Sequence, residues 1–254
     1  DRQAVTTGLT ESFLAGGNFL VNPLAFQPGT QWEYGTNTDW LGILIEQRSG
    51  DRLVDYFDKN IFEPLGMKDT HFELPEDKLD RSVTMMARTE DQLTVSSFGQ
   101  PTAKDRHSLP FYSGGGGLYS TVENYGRVLQ MLLSEGTANG SQVLAAKTVD
   151  TMFHNHIGEL RPKALVTQVP EVSNDADLAF GASATFGLGL LIHPEGLPSG
   201  RRANTGSWAG LFNTYYWIDR ESDLYGIFGT QILPFYDAAT ISTLAGFEQA
   251  VYSD

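Results

Sequence analysis

The sequence predicts a protein of the broad α/β class, with both helices and strands. Within it we expect an α+β arrangement, in which an antiparallel sheet is flanked by helices and accompanied by a helical lobe. Two observations lead to this prediction. Helical periodicity and helix-capping residues dominate the first part of the chain, whereas the apolar residues repeat with a period of two from Thr185 onwards. The apolar stretches at 214–218 and 224–231 are then separated by the polar turn 219–223, which is typical of an antiparallel hairpin.

Two helices are expected early in the chain. The first begins at the capping residues 36–38 and ends at Gly50, because glycine favours the conformation that terminates helices. It carries the apolar residues Trp40, Leu41, Leu44 and Ile45. The second follows Asp51 and stops at Pro64, with one apolar stripe formed by Leu53, Tyr56, Phe57 and Ile61.

The middle of the chain alternates loops and short helices. Residues 75–112 are polar and lack a strong period, so they predict a long surface excursion. The glycine run 113–117 lacks the Gly-Lys-[Ser/Thr] ending of a phosphate loop, and we expect it to permit a close approach of two backbone segments. The capping box 120–123 starts a helix expected to bury Val122, Tyr125, Leu129 and Leu132. A short helix near 145–153 and an exposed loop at 158–181 follow.

The last part of the chain supplies the sheet. Phe186, Leu188, Leu190 and Ile192 alternate with other residues and predict one strand. The final helix is expected to direct inwards the apolar residues Ile241, Leu244, Phe247 and Val251. We expect residues 1–254 to form one domain, with a mainly helical lobe and loops in 1–180 and the strands and terminal helix in 181–254.

Composition excludes several classes of function. The formal net charge of −14 argues against nucleic-acid binding, which needs a Lys/Arg surface. Cysteine is absent, so disulfides and thiolate metal sites are excluded. No apolar run approaches the ~20 residues of a membrane span, which predicts a soluble protein and leaves its compartment, cytoplasm or periplasm, open.

The histidines do not suggest a metal site. His154 and His156 have no third ligand nearby and are interpreted as a capping and surface pair at a helix end. His193 alternates with strand residues and is expected to face solvent rather than to act as a base. We therefore expect no cofactor and no metal.

Five blocks of sequence, in order, carry a resemblance to a known family. They lie at 26–34 with 39–42, at 61–70, at 113–121, at 208–214 and at 217–219 with 230–235. Together they resemble the class C β-lactamase and family VIII esterase group, and the C-terminal blocks are similar to its esterases for small diol and acrylate esters. The resemblance implies a β-lactamase/transpeptidase-like fold and a serine hydrolase.

The same resemblance implies acyl transfer through a serine ester. A Ser-x-x-Lys pair supplies the nucleophile and a cation, and a tyrosine acts as base. Tyr34 is the tyrosine to which the motif points. A free phenol has a pKa near ~10, so a neighbouring ammonium must stabilise the phenolate. The alternative is a buried structural tyrosine whose hydroxyl binds backbone.

A second implied element is the oxyanion strand. Trp208-Ala209-Gly210 matches the Trp-x-Gly of the esterase branch, so Trp208 and Gly210 belong to the site and the backbone N–H of Leu211 is the expected oxyanion donor. A rival register remains, because 204–207 imitates Lys-Thr-Gly-Ser and would move the donor to Ser207. A purely structural strand is the third possibility.

Two departures from the family pattern refine the expected function. Thr36 stands where lactamases have the asparagine that orients a substrate amide, which favours ester over lactam hydrolysis. No serine is followed three residues later by lysine, so the Ser-x-x-Lys motif is expected in a segment upstream of Asp1. We expect hydrolysis of a small-molecule carboxylic ester, with an acyltransferase as the close alternative. A β-lactamase or D-Ala-D-Ala peptidase comes third, and a non-catalytic binding homologue is the alternative of another class.

Overall fold

A five-stranded antiparallel sheet lies at the centre of the computed structural model, which describes residues 23–90 and 92–253. Its five strands lie side by side in the order in which they occur along the chain, so that each strand is hydrogen-bonded to its neighbour in sequence. The bounds are β5 (Thr185–Phe186), β6 (Leu191–His193), β7 (Thr205–Gly210), β8 (Thr214–Asp219) and β9 (Leu224–Phe228). The antiparallel hairpin predicted around 219–223 is confirmed.

The two sides of β7 are covered to different extents. On one side β8 pairs with β7 from Gly206 to Gly210. On the other side β6 pairs with residues 205–207 and stops at the pair Leu191–Ser207. The second half of β7, which begins at Trp208, therefore has a strand partner on one side only among the described residues.

The prediction of one continuous strand through 186–192 is wrong. β5 and β6 are two short strands paired with each other, Thr185 with Ile192 and Phe186 with Leu191. The chain reverses between them, where Gly187 N donates to Leu190 O at 2.8 Å and Gly189 adopts φ 80°. Alternating apolar residues suit both arrangements, and only the glycine conformations distinguish a tight turn from an extended strand.

Residues 75–112 hold more structure than the predicted surface excursion. A 3₁₀ helix spans Glu76–Arg81, and two strands follow, β1 (Met86–Thr89) and β2 (Gln92–Val95). β1 pairs in parallel with β10 (Ile232–Leu233), which lies far along the chain. A strand stabilised by such a distant partner leaves little local periodicity to recognise.

The helices follow the predicted order. They are α1 (Asn37–Ser49), α2 (Leu53–Phe57), α3 (Glu63–Leu65), α4 (Val122–Leu133), α5 (Ala146–Met152) and α6 (Ala238–Val251). A π-helical segment, Asp58–Phe62, joins α2 to α3, and the two-residue strands β3 (Thr137–Ala138) and β4 (Ser141–Gln142) form a hairpin after α4. Gly50 ends α1 with φ 79°, as predicted. The N-cap of α4 is Thr121, whose Oγ1 accepts from Asn124 N, one residue beyond the predicted start of the capping box.

Apolar side chains fill both faces of the five-stranded sheet. One core cluster joins α3, α4 and α5 to the sheet and includes Leu65, Leu129, Val149, Ile192 and Ile218. The other lies on the α6 side and includes Tyr215, Trp217, Phe235 and Leu244. By contrast, Trp40, Leu41 and Leu44 on α1 are each about half exposed.

The buried face of α6 differs from the predicted one. Thr240, Leu244 and Glu248 are buried, whereas Phe247 and Val251 are exposed. Glu248 is accommodated because its carboxylate accepts hydrogen bonds from Ser199 Oγ at 2.5 Å and from the buried Arg201 guanidinium. A buried charge needs such partners, and the distant arginine is invisible in the pattern of the helix itself.

None of the helices in residues 23–90 and 92–253 has the length and hydropathy that crossing a membrane requires.

Candidate active site

Tyr34 and Trp208, two of the residues predicted for the site, lie against each other. Their ring centroids are 5.3 Å apart with an interplanar angle of 57°. Tyr34 lies in the connection just before α1, and half of its surface (50%) is exposed. Thr36 is the N-cap of α1, and its carbonyl accepts from Asp39 N and Trp40 N. The segment that contains Tyr34 and strand β7 therefore meet although they are distant in sequence.

The surroundings of Tyr34 set its pKa. Desolvation by neighbouring groups raises it, a hydrogen bond with the Trp208 side chain lowers it, and the negative charge of Asp39 raises it again, so that the pKa lies above the usual value of 10.0. An indole N–H can only donate, so Trp208 is the donor and Tyr34 Oη the acceptor. A donor stabilises the phenolate more than the phenol, but here it does not outweigh burial and Asp39.

Two further rings extend this contact. Phe186 packs edge-on against Trp208 with a centroid distance of 5.3 Å, and Trp32 lies 5.2 Å from Phe186. We call Trp32, Tyr34, Phe186 and Trp208 the aromatic surface. All four rings retain some exposure to solvent. Trp32 belongs to the block of sequence that contains Tyr34, whereas nothing local marks Phe186 as part of the site.

The chain leaves β7 through a three-residue loop, 211–213. Asn213 N donates to Gly210 O at 3.0 Å, and Asn213 adopts φ 60°, which is the usual geometry of a hairpin loop of this length. Leu211 is partly exposed at the first position of the loop. Within residues 23–90 and 92–253, the Leu211 N–H makes no hydrogen bond to protein.

The rival register, with Ser207 as the donor, has a different environment. Ser207 is paired on both sides, with Leu191 of β6 and Trp217 of β8, so its backbone groups lie inside the sheet. Its side chain is buried, with Oγ 3.3 Å from His193 Nε2. Trp208, the first residue of the 208–211 register, is the one whose ring lies against Tyr34.

The glycine run packs against the start of α1. A Cβ atom on Gly114 would lie 2.1 Å from the Thr38 carbonyl oxygen, which confirms the predicted close approach of two backbone segments. The buried carboxylate of Asp39 completes the contact, because Oδ1 accepts from Ser113 Oγ at 2.5 Å and from Gly115 N at 3.1 Å. Asp39 was not predicted as a site residue, although its position in the helix just after Tyr34 is a usable signal.

The histidines divide into two kinds. His154 and His156 are exposed at the end of α5, where ring nitrogens lie 2.8 Å from Asp150 O and Thr151 O, so their interpretation as a surface pair is confirmed. The prediction that His193 faces solvent is wrong, because its side chain is fully buried at the end of β6. Burial lowers its pKa to about 4, and the charge of Arg201 lowers it further than Asp177 raises it.

No group of three or more His, Asp or Glu side chains that could hold a metal ion occurs in the part of the chain that the structure describes.

Comparison with known proteins identifies one matching family model. Residues 20–245 match the model described as Beta-lactamase. The match includes Tyr34, the glycine run 113–117 and strand β7.

Curated relatives include esterases and acyltransferases by name. A lovastatin esterase of Penicillium rubens is 30% identical over 224 residues, which cover 84% of this chain and 53% of that protein. The ML-236A carboxylate methylbutanoyltransferase of Penicillium citrinum is 31% identical over 243 residues, which cover 92% of this chain and 56% of that protein. The chain thus spans about half the length of these relatives.

Solved structures give the same fold. The simvastatin synthase LovD of Aspergillus terreus, unliganded, superposes with a TM-score of 0.76 at 26% identity, over 99% of this chain and 63% of that one. EstCE1, described as a hydrolase with promiscuous acyltransferase activity, superposes with a TM-score of 0.67 at 17% identity and supports the fold alone. The β-lactamase/transpeptidase-like fold expected from the sequence is confirmed.

Proposed function

Because this chain belongs to the beta-lactamase family of serine hydrolases, we propose that it is part of an enzyme that hydrolyses small carboxylic esters through an acyl-enzyme. Tyr34 is the base, and the N–H of Leu211 donates to the oxyanion. The observation that carries the proposal is the contact between Tyr34 and Trp208, at the half of β7 that has a strand partner on one side only among the described residues. A base and an oxyanion donor must converge on one reacting carbonyl, and this contact joins the segments that carry them.

Tyr34 needs a cation to act as a base at neutral pH. Its pKa is raised by desolvation and by Asp39, so the phenolate is scarce without further help. An ammonium within about 4–6 Å would favour the phenolate. The lysine of a Ser-x-x-Lys pair would supply that charge, which makes the proposed base dependent on the same motif as the nucleophile.

We place the nucleophilic serine in a part of the protein outside these 254 residues. Ser49 and Ser199, the serines with a basic residue three positions later, are followed by Arg52 and Arg202, and arginine does not give up its proton. Two structural features support an additional segment. β9 is an edge strand among the described residues, and α1 exposes a row of apolar side chains.

Ester rather than lactam hydrolysis follows from the groups around Tyr34. A lactam substrate needs its side-chain amide held and its departing nitrogen protonated. Thr36 replaces the asparagine that would hold the amide, and Trp208 occupies the place of the strand lysine. The aromatic surface instead suits an apolar acyl or alcohol group. A lovastatin esterase among the relatives is consistent with this preference.

Acyl transfer to an alcohol is the second candidate. The same acyl-enzyme can be attacked by an alcohol instead of water, and an apolar surface favours an apolar acceptor over water. Several relatives bear names of this kind, such as methylbutanoyltransferase and acyltransferase. The aromatic surface is the specific observation that favours it.

The test uses the complete protein that contains this chain. We expect turnover of p-nitrophenyl acetate or butyrate with kcat/KM at least ~10²-fold above that for a chromogenic cephalosporin. An added alcohol such as butanol separates the two candidates, because a transferase forms the butyl ester while a hydrolase continues to release free acid. Preference for the cephalosporin would overturn the esterase assignment. Failure to react with a fluorophosphonate probe would identify a non-catalytic homologue.

A further inference from the structure

A single buried side chain lies at the base of the loop that follows β7. Asn213 is fully buried (0% exposed), and its φ of 60° lies in the left-handed region, which asparagine tolerates better than most residues. Its backbone N–H donates to Gly210 O at 3.0 Å and so closes the loop. Asn213 is therefore the point at which the chain turns from β7 into β8.

The amide side chain of Asn213 uses its full hydrogen-bonding capacity. Nδ2 donates to Ile232 O at 2.9 Å and to Pro234 O at 2.8 Å. Oδ1 accepts from Tyr215 Oη at 2.8 Å and from Asp237 N at 3.2 Å. An amide has two N–H donors and two acceptor directions, so every one is occupied. The loop is thereby tied to β8, to β10 and to the N-cap of α6.

The carbonyl groups of the loop 211–213 accept hydrogen bonds from residues 230–232. Thr230 Oγ1 lies within hydrogen-bond distance of Phe212 O at 3.0 Å and of Asn213 O at 2.9 Å, and Ile232 N donates to Phe212 O at 3.2 Å. The backbone N–H of Leu211, at the start of the loop, has no protein partner among residues 23–90 and 92–253. Among the described residues, the carbonyls of the loop are thus hydrogen-bonded and the N–H at its start is not.

We propose that Asn213 is a positioning residue for acyl transfer, because its four hydrogen bonds fix the direction in which the Leu211 N–H points. This inference rests on the proposed function, in which that N–H binds the oxyanion. Losing one oxyanion donor costs ~10²–10³ in rate, and displacing a reacting group by about 1 Å costs ~10²-fold. A loop released from segment 230–234 is free to make such a displacement.

The experiment compares two asparagine-to-glycine variants in the complete protein. Asn213→Gly keeps a residue that accepts φ 60° but removes the four side-chain hydrogen bonds. Asn139→Gly is the matched control, since Asn139 also has a positive φ of 50° in a hairpin turn, is exposed and lies outside the proposed site. For p-nitrophenyl butyrate we expect Asn213→Gly to lower kcat by ~10–100-fold with little change in KM, and Asn139→Gly to match the wild type.

A second readout separates positioning from general stability. A boronic acid that forms a tetrahedral adduct with the serine should lose affinity for Asn213→Gly by about the same factor as kcat, because it uses the same oxyanion donor. Unchanged boronate affinity, or a raised KM with unchanged kcat, would overturn the inference. If Asn213→Gly does not fold, Thr230→Val is the second variant, since it removes the hydroxyl shared by the two loop carbonyls. It must lower kcat with little change in KM; otherwise the inference is wrong.

The two proposals fail separately. If the wild-type protein does not turn over esters, both the proposed function and this inference are refuted. If the wild type is active, and Tyr34→Phe inactivates it whereas Asn213→Gly does not impair it, only the role of Asn213 is refuted.

Discussion

Asp39 and Trp208 act on the pKa of the same phenol in opposite directions. The negative charge of Asp39 raises the pKa of Tyr34, and the hydrogen bond from the Trp208 indole lowers it. Each of these residues also has a separate structural contact, Asp39 with Ser113 and Trp208 with Phe186. The proposed base is therefore tuned from both segments that form the site.

Because Asp39 and Trp208 act in opposite directions, replacing each of them should shift the pH dependence of activity in opposite directions. If Tyr34 acts as a base, activity rises with pH as the phenol loses its proton. Trp208→Phe removes the donor, raises the pKa of Tyr34 further and moves this rising limb to higher pH. Asp39→Asn removes the charge but keeps an acceptor for Ser113, and moves the limb to lower pH. The pH profile of kcat/KM measures both, with Phe186→Leu as a neighbouring variant that leaves the limb in place.

Removing the Tyr34 hydroxyl should abolish most activity and leave the fold intact. Tyr34→Phe is expected to lower kcat/KM for p-nitrophenyl butyrate by ~10²–10⁴-fold, the usual range for loss of a general base. The matched control is Tyr236→Phe, which removes a hydroxyl that donates to Asp177 O away from the aromatic surface. Full activity in Tyr34→Phe, with an unchanged circular dichroism spectrum, would show that Tyr34 is a structural tyrosine.

The glycine run should tolerate a methyl group at one position and not at another. Gly114→Ala brings Cβ to 2.1 Å from the Thr38 carbonyl oxygen, so the backbone must move, and we expect a loss of about 1–3 kcal/mol or more in unfolding free energy. Gly116→Ala meets no atom within 4 Å and should change stability by about 0.5 kcal/mol or less. Urea denaturation of both variants checks this, and equal midpoints would contradict the close approach.

His193 should make the fold sensitive to mild acid. Its folded pKa of about 4 lies below the unfolded value of 6.5, so the stabilisation is complete above pH 6.5 and is lost as pH falls towards 4. The difference corresponds to about 3 kcal/mol. His193→Gln should reduce the fall in unfolding free energy between pH 7 and pH 4.5, whereas the exposed control His154→Gln should not. Parallel pH curves for wild type and His193→Gln would refute this prediction.

Local sequence patterns predicted where helices and strands lie better than they predicted which side chains are buried. Gly50 ends one helix and Thr121 begins another through effects that act within a few residues, and both helices were predicted. His193 and Glu248 are buried, and their contacts, Ser207 and Arg201, lie elsewhere in the chain. A residue's partner across a sheet or between layers leaves no periodic trace at its own position.

The candidate site shows the same division. Tyr34 and Trp208 could be chosen from the sequence because each lies in a motif whose residue order is informative. Phe186 could not, since its role comes from the β5–β6 turn, which brings its ring to Trp208. Asn213 was noted as part of a block, but its four hydrogen bonds depend on the folding of the chain around residues 230–237.

The contact between Gly114 and the Thr38 carbonyl also limits how this site can diversify. Since the obstructing atom belongs to the backbone, no exchange of the residue at position 38 makes room for a side chain at position 114. A mutagenesis library aimed at new substrates should therefore hold codon 114 as glycine and vary codons 32 and 186, whose partly exposed rings extend the surface beside Tyr34. Evolutionary drift in substrate preference is expected to follow the same route, with the aromatic positions changing while the glycine stays fixed.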